Sequence, residues 1–152
     1  MDFTVTYNFP ASVPAVWNLL MDPTAIADCL PGCRELVPVG GDQYQAELTV
    51  GVAAVSGTFE VTVALVDLVP PQSYRLNVEA TGTPGFARGT ASILLRPDGD
   101  GTTVVVAAEV QAGGLIARVG QRLLESVARM TMDGFFGCLA KRLGGAGILG
   151  SS

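Results

Sequence analysis

Residues Asp2 to Phe9 alternate, with Phe3, Val5, Tyr7 and Phe9 on one side and Thr4, Thr6 and Asn8 on the other, which is the period of a half-buried strand. Pro10 ends it. Ser12 has the chemistry of an N-cap, Pro14 falls in a first helical turn, and Val13, Val16, Trp17 and Leu20 lie at helical spacing, so a short helix is predicted. Asp22 caps a second one starting at Pro23, with Ile26 and Leu30 as its apolar contacts, until Pro31-Gly32 stops it.

From Arg34 the period returns to two and turn residues recur, which predicts six further strands. Glu35 to Val39 leads through the hairpin signal Gly40-Gly41-Asp42 into Tyr44, Ala46, Leu48, Val50 and Val52. Phe59, Val61, Val63 and Leu65 make the next apolar face. Pro70-Pro71 turns the chain into Tyr74, Leu76, Val78 and Ala80, whose intervening Arg75, Asn77 and Glu79 belong in water. Gly82 to Gly85 turns it again before Ala91, Ile93 and Leu95. After Asp98 to Gly101 the last strand carries Val104, Val106, Ala108 and Val110.

After Gly113-Gly114 the period changes to 3.6 and holds to about Leu143, which predicts one helix of about 30 residues and about 45 Å. Ile116, Val119, Leu123, Val127 and Met130 form its apolar stripe, widened by Leu115, Leu124, Ala128, Phe135 and Leu139. Arg118, Arg122, Glu125, Arg129 and Asp133 occupy the other side at spacings that let them pair along the helix. Gly134 and Gly137 weaken the helix near its end by about 1 kcal/mol each relative to Ala. Local opening that admits a ligand and close packing against the sheet both explain them. Gly144-Gly145 reads as the stop, giving one domain over residues 1–144 and a short flexible tail over 145–152.

Composition narrows the function more than the fold. Hydrophobic residues are 49% of the chain and charged ones 15%, yet Gly, Pro, Thr or a charge interrupts every apolar run before the length needed to cross a bilayer. The N-terminus has no basic start or apolar stretch of a signal peptide, so a cytoplasmic protein is expected. A net charge of -5, with nine Lys and Arg thinly spread, argues against nucleic acid as a partner. Three cysteines are an odd number, which favours reduced thiols; Cys29 and Cys33 are spaced as C-x3-C, but with no histidine and no further cysteine nearby neither a metal site nor a cofactor is expected. The same lack of histidine, and of any G-x-S-x-G setting, leaves catalysis without its usual groups. Glu60, Glu79 and Glu109 alternate with apolar residues and read as outer-face charges, and Asp22 as a helix cap.

The order of elements predicts an α+β fold: a curved, seven-stranded antiparallel sheet with two short helices after strand one and one long C-terminal helix across it. A gap opens between a curved sheet and a straight helix unless large side chains fill it. The predicted inner faces are mostly Val, Ala, Leu and Ile, and the whole chain has 6 Phe, 3 Tyr and 1 Trp. An apolar cavity and a core packed to native density are both compatible with that pattern. On the cavity reading, Phe59, Val61, Leu76, Val78, Ile93 and Val106 line it from the sheet. Ile116, Val119, Leu123, Val127 and Met130 line it from the helix, Met130 adding an adaptable thioether. Leu30 contributes to a rim. Phe86 is either a gate or a core residue, and Arg88 either reaches a polar ligand head or is a surface arginine.

Several segments, in this order, resemble the START-like helix-grip (SRPBCC) superfamily and, within it, the CoxG family of carbon monoxide dehydrogenase subunits. They are Val16-Trp17-Asn18-Leu19-Leu20 with Asp22-Pro23 and Ile26-Ala27, Cys29-Leu30-Pro31-Gly32-Cys33, Val50-Gly51 with Gly57-Thr58-Phe59, Tyr74-Arg75-Leu76 with the glycines from Gly82 to Gly89, and Gly113-Gly114-Leu115-Ile116-Ala117 followed by Gly120-Gln121-Arg122-Leu123. The resemblance covers nearly the whole domain. It implies non-catalytic binding of a hydrophobic small molecule, quinone-like or lipid, by an accessory to a molybdenum hydroxylase at the inner face of the membrane. Many members carry a C-terminal extension that aids membrane attachment, so tight anchoring is not expected of a chain running to Ser152. The alternative is a ligand-free adaptor or maturation factor that recruits such an enzyme by protein contact. A cyclase or hydrolase of the superfamily would require an acid or base facing inward, and the alternation assigns none.

Overall fold

The computed structural model of the protein describes residues 1–51 and 56–143. Strand β1 spans Asp2–Phe9, helix α1 Val13–Leu20 and helix α2 Pro23–Cys29. Both caps form as the sequence requires: the Ser12 side chain accepts from the Ala15 N–H and the Asp22 carboxylate from the Thr24 N–H. Strands β2 (Cys33–Gly40), β3 (Gln43–Val50), β4 (Gly57–Val69), β5 (Ser73–Gly82), β6 (Gly85–Asp98) and β7 (Gly101–Gly114) follow as hairpin-linked neighbours. The predicted reach of the third strand to Val52, the Gly144-Gly145 stop and the tail over 145–152 lie outside the described residues.

All seven strands form one antiparallel sheet in the order β1-β7-β6-β5-β4-β3-β2, so the first strand returns to lie beside the last. β2 is left at a free margin, where Pro38 and two register shifts interrupt its pairing with β3. The alternation sorts the faces as expected. Phe3, Tyr7 and Phe9 are buried on one side of β1, and Glu60, Glu79 and Glu109 are exposed on the outer face.

The C-terminal helical region differs from expectation. Leu115–Val119 is a short 3-10 turn, and α3 begins only at Gln121 and runs to Arg142. Gly120 stands between them with a φ of 94°, a conformation that L side chains avoid, and it breaks the helical phase. Pairing along the polar side is also reduced. Arg129 reaches Glu125 at 3.5 Å, but its guanidinium also covers the Phe3 ring at 5.5 Å, and Asp133 accepts a 2.7 Å hydrogen bond from the Tyr7 hydroxyl. This side of α3 is therefore engaged with β1 rather than only with itself.

The expectation of reduced thiols is corrected. Cys29 and Cys138 form a disulfide between α2 and α3 across 109 positions, with Cα atoms 5.3 Å apart. The spacing argument weighs Cys29 against its sequence neighbour Cys33, whereas helix packing selects the distant partner. Cys33 keeps a free thiol, which burial pushes above its usual pKa. Arg142 pairs with Asp28 along the same seam, and a Cβ on Gly134 would lie 3.0 Å from the Pro31 ring. Close packing thus explains Gly134, with Pro31 as the neighbour rather than the sheet. Gly137 is buried nearby.

Candidate functional site

The pairing register shows what lies beneath α3. At one end, Tyr7, Val104 and Leu95 form a row across β1, β7 and β6, and the next row runs Val5, Val106, Ile93, Tyr74 into β5. These large side chains pack with Val16, Trp17 and Leu20 of α1 and with Phe136, Leu139 and Ala140 of α3 in the main core. Aromatic contacts reinforce it: Tyr7 stacks on Phe136 at 4.4 Å and Trp17 meets Tyr74 edge-on at 5.4 Å. At the other end Phe59 and Val61 pack with Ile116, and Val119, Leu124 and Val127 cover them.

The rows where these clusters meet carry small residues, Leu76 and Ala91 packing against the first and Val78 against the second. Ala108, Ala91 and Leu76 are cross-strand partners in one row and Val110, Gly89 and Val78 in the next, while Ala112, Ala87 and Ala80 continue the row of Val61 in the second cluster. All are only half-buried although they share the inner face. Above them, the stretch of α3 between its two anchored ends offers Ala128 and Thr131, also half-buried, and the Thr131 hydroxyl turns back to the Val127 carbonyl at 2.9 Å. Leu76 apart, the facing residues on floor and helix are thus smaller than the Leu and Phe that meet in the main core.

The predicted lining residues distribute unevenly. Phe59, Val61 and Ile116 are buried in the second cluster, with Val119 and Val127 half-buried against it. Leu76 and Val78 lie on the floor, and Ile93 and Val106 are sealed in the main core at its edge. Leu30 is half-buried at the end of α2. The neighbouring Gly32 packs so tightly against the Thr49 carbonyl that a Cβ would meet it, which fixes the Leu30-Pro31-Gly32 segment to β3. Leu123 is half-buried.

Two assignments fail. Met130 is 61% exposed: within α3 the half-buried side runs through Leu124, Val127, Ala128 and Thr131, and Met130 falls beside it. Phe86 is 38% exposed and belongs to β6 itself rather than to a flexible turn. Its parity opposes that of Ala91 and Ile93, so its ring lies across Gly113 on the outer face, with the Arg88 guanidinium 5.1 Å above it. Arg88 is accordingly a surface arginine, exposed beside Glu79, Thr90 and Gln111. Tyr74 is absent from the predicted lining, although its parity with Leu76 and Val78 carries the signal.

Three open depressions lie elsewhere. Those of about 240 Å³ and 260 Å³ share Thr90 and Glu109, which alternation sets on the outer face, and one of about 550 Å³ follows Gly134, Gly137, Cys138 and Lys141 of α3. Among the described residues no group of three or more His, Cys, Asp and Glu is placed to hold a metal ion, and no helix is long and apolar enough to cross a membrane.

The family model for the carbon monoxide dehydrogenase subunits named CoxG matches residues 7–144. No curated protein matches the sequence. Among solved structures, a conserved protein from Geobacillus kaustophilus is 32% identical and superposes with a TM-score of 0.92, with 95% of each chain covered. A START superfamily protein from Mycobacterium smegmatis is 13% identical with a TM-score of 0.73, covering 93% of this chain and 96% of its own. The Zhui aromatase/cyclase from Streptomyces sp. R1128 is 18% identical with a TM-score of 0.68, covering 94% and 93%. The last two share the fold with this chain, a START-like helix-grip.

Proposed function

The chain belongs to the CoxG family of carbon monoxide dehydrogenase subunits, and on that premise we propose that it binds a hydrophobic small molecule, quinone-like or lipid, between α3 and the inner face of its sheet. The observation that carries this reading is the half-buried floor of Ala108, Ala91, Leu76, Gly89 and Val78 where the two packed clusters meet beneath α3. An apolar guest laid over it gains about 25 cal/mol for each Å² of apolar surface removed from water. The family description supports a role beside a carbon monoxide dehydrogenase, and we take the protein as a non-catalytic accessory that supplies or removes this guest for a molybdenum-containing enzyme at the inner membrane face.

Protein purified without detergent, extracted with organic solvent and examined by mass spectrometry is expected to yield an isoprenoid or fatty molecule in near-stoichiometric amount. Repeated recovery of none, together with no uptake of added short-chain quinone, would leave the ligand-free adaptor as the better reading.

A further inference from the structure

Tyr7, Tyr44 and Tyr74 share the inward parity of their strands. Tyr7 spends its hydroxyl on Asp133 at 2.7 Å. Tyr44 is half-buried on the β3 side, where nothing encloses it as tightly. Tyr74 differs from both: it is only 4% exposed, its ring is held edge-on by Trp17, and its hydroxyl has no hydrogen-bond partner among the described residues. Thr102, the other deeply buried hydroxyl, donates to the Ala11 carbonyl at 2.7 Å.

Among the described residues every fully enclosed side-chain nitrogen or oxygen has a partner. The unpartnered Tyr74 oxygen therefore borders space that a water molecule can reach, even though the rest of the residue is sealed. Tyr74 also stands at the margin of the floor, in the row of Val106 and Ile93 and two positions before Leu76 on the same face of β5. Burial pushes its phenol well above the usual tyrosine value, so at neutral pH it remains a neutral O–H donor.

We propose that the Tyr74 hydroxyl is the hydrogen-bond donor of the interior site, selecting lipophilic ligands that carry a carbonyl-type acceptor oxygen over hydrocarbons of the same shape. This rests on the interior binding proposed above and adds its polar determinant. The ligand's oxygen meets Tyr74 at the edge of the main core, and its apolar body extends over Leu76, Val78 and Ala91. A polar group placed to pair with a ligand discriminates against analogues lacking that partner more sharply than an apolar wall discriminates by shape.

The test compares two probes of one outline, menadione with its two carbonyls and 2-methylnaphthalene with none, by calorimetric titration of the full chain and of Tyr74→Phe. Menadione is expected to bind Tyr74→Phe about tenfold more weakly than the parent, the loss of one hydrogen bond. 2-Methylnaphthalene should bind both within about twofold, and the melting temperature of the variant should be unchanged or higher. Equal menadione affinity for both proteins overturns the Tyr74 assignment while leaving the interior site standing, and an equal loss for both probes overturns it in favour of packing. Binding of neither probe to the parent removes the interior site and this proposal with it. Should Tyr74→Phe fail to fold, ultraviolet resonance Raman of the parent decides: a tyrosine donor shift with menadione but not with 2-methylnaphthalene supports the assignment, and no shift overturns it.

Discussion

At its C-terminal end α3 is tied to α2 by the Cys29–Cys138 disulfide and the Arg142–Asp28 pair, and it drives Phe136, Leu139 and Ala140 into the main core. Its N-terminal end starts from Gly120 with no capping side chain, and Leu124 and Val127 rest half-buried on the small second cluster. One helix thus has a fastened end and a lightly held end, with the small-residue floor between them. The contrast teaches that anchoring is uneven along a single element: the larger cluster forms where α1 and α2 help to cover the sheet, and the smaller one where α3 and the 3-10 turn cover it.

The largest expected effect comes from breaking the fastened end. Leu139→Ala, at a fully enclosed position, should cost about 3–5 kcal/mol in a urea titration, whereas Leu124→Ala should cost about 1 kcal/mol. Equal losses would erase the distinction between the ends. Next, the Cys29→Ser/Cys138→Ser double variant should lose about 2–4 kcal/mol, because the tie closes a long loop of the unfolded chain. Thiol titration of the denatured chain checks the tie directly, with one thiol expected before reduction and all three cysteines after it.

Alkaline titration sharpens the comparison further. The folded state holds the Tyr74 proton more tightly than the unfolded chain does, so its stabilising share is complete below the usual value of 10.0 and is lost as pH rises above it. Unfolding free energy should fall by about 1 kcal/mol per pH unit from this residue, and Tyr74→Phe should remove that share of the slope. Tyr7, raised by burial and by its bond to Asp133, adds in the same direction. The smallest effect is expected from Arg142→Ala, below about 1 kcal/mol and shrinking further in high salt, because both members of the pair are substantially exposed.

The sheet is readable from the chain because alternation encodes one face directly. Val61, Leu76, Ile93 and Val106 all turn inward as their parity requires. Phe86 is placed correctly only when the same rule is carried back from Ala91 through Gly89 and Ala87, which sets it on the opposite face. The helix is readable in type but not in extent, since a 3.6 period assumes an unbroken helix and one left-handed glycine at position 120 divides it into a 3-10 turn and α3. The disulfide is not readable at all: spacing reports neighbours in sequence, while Cys29 and Cys138 are neighbours only through helix packing. The small-residue floor is half readable, as small inward residues are evident but their alignment into rows is a property of register.

The irregular margin at β2 has a colloidal consequence. A neighbouring copy seeking to extend the sheet would meet Pro38, which has no N–H to offer, flanked by two offsets in the ladder. Exposed Val37 and Val39 therefore sit on a border that discourages pairing of copies through this edge of the sheet.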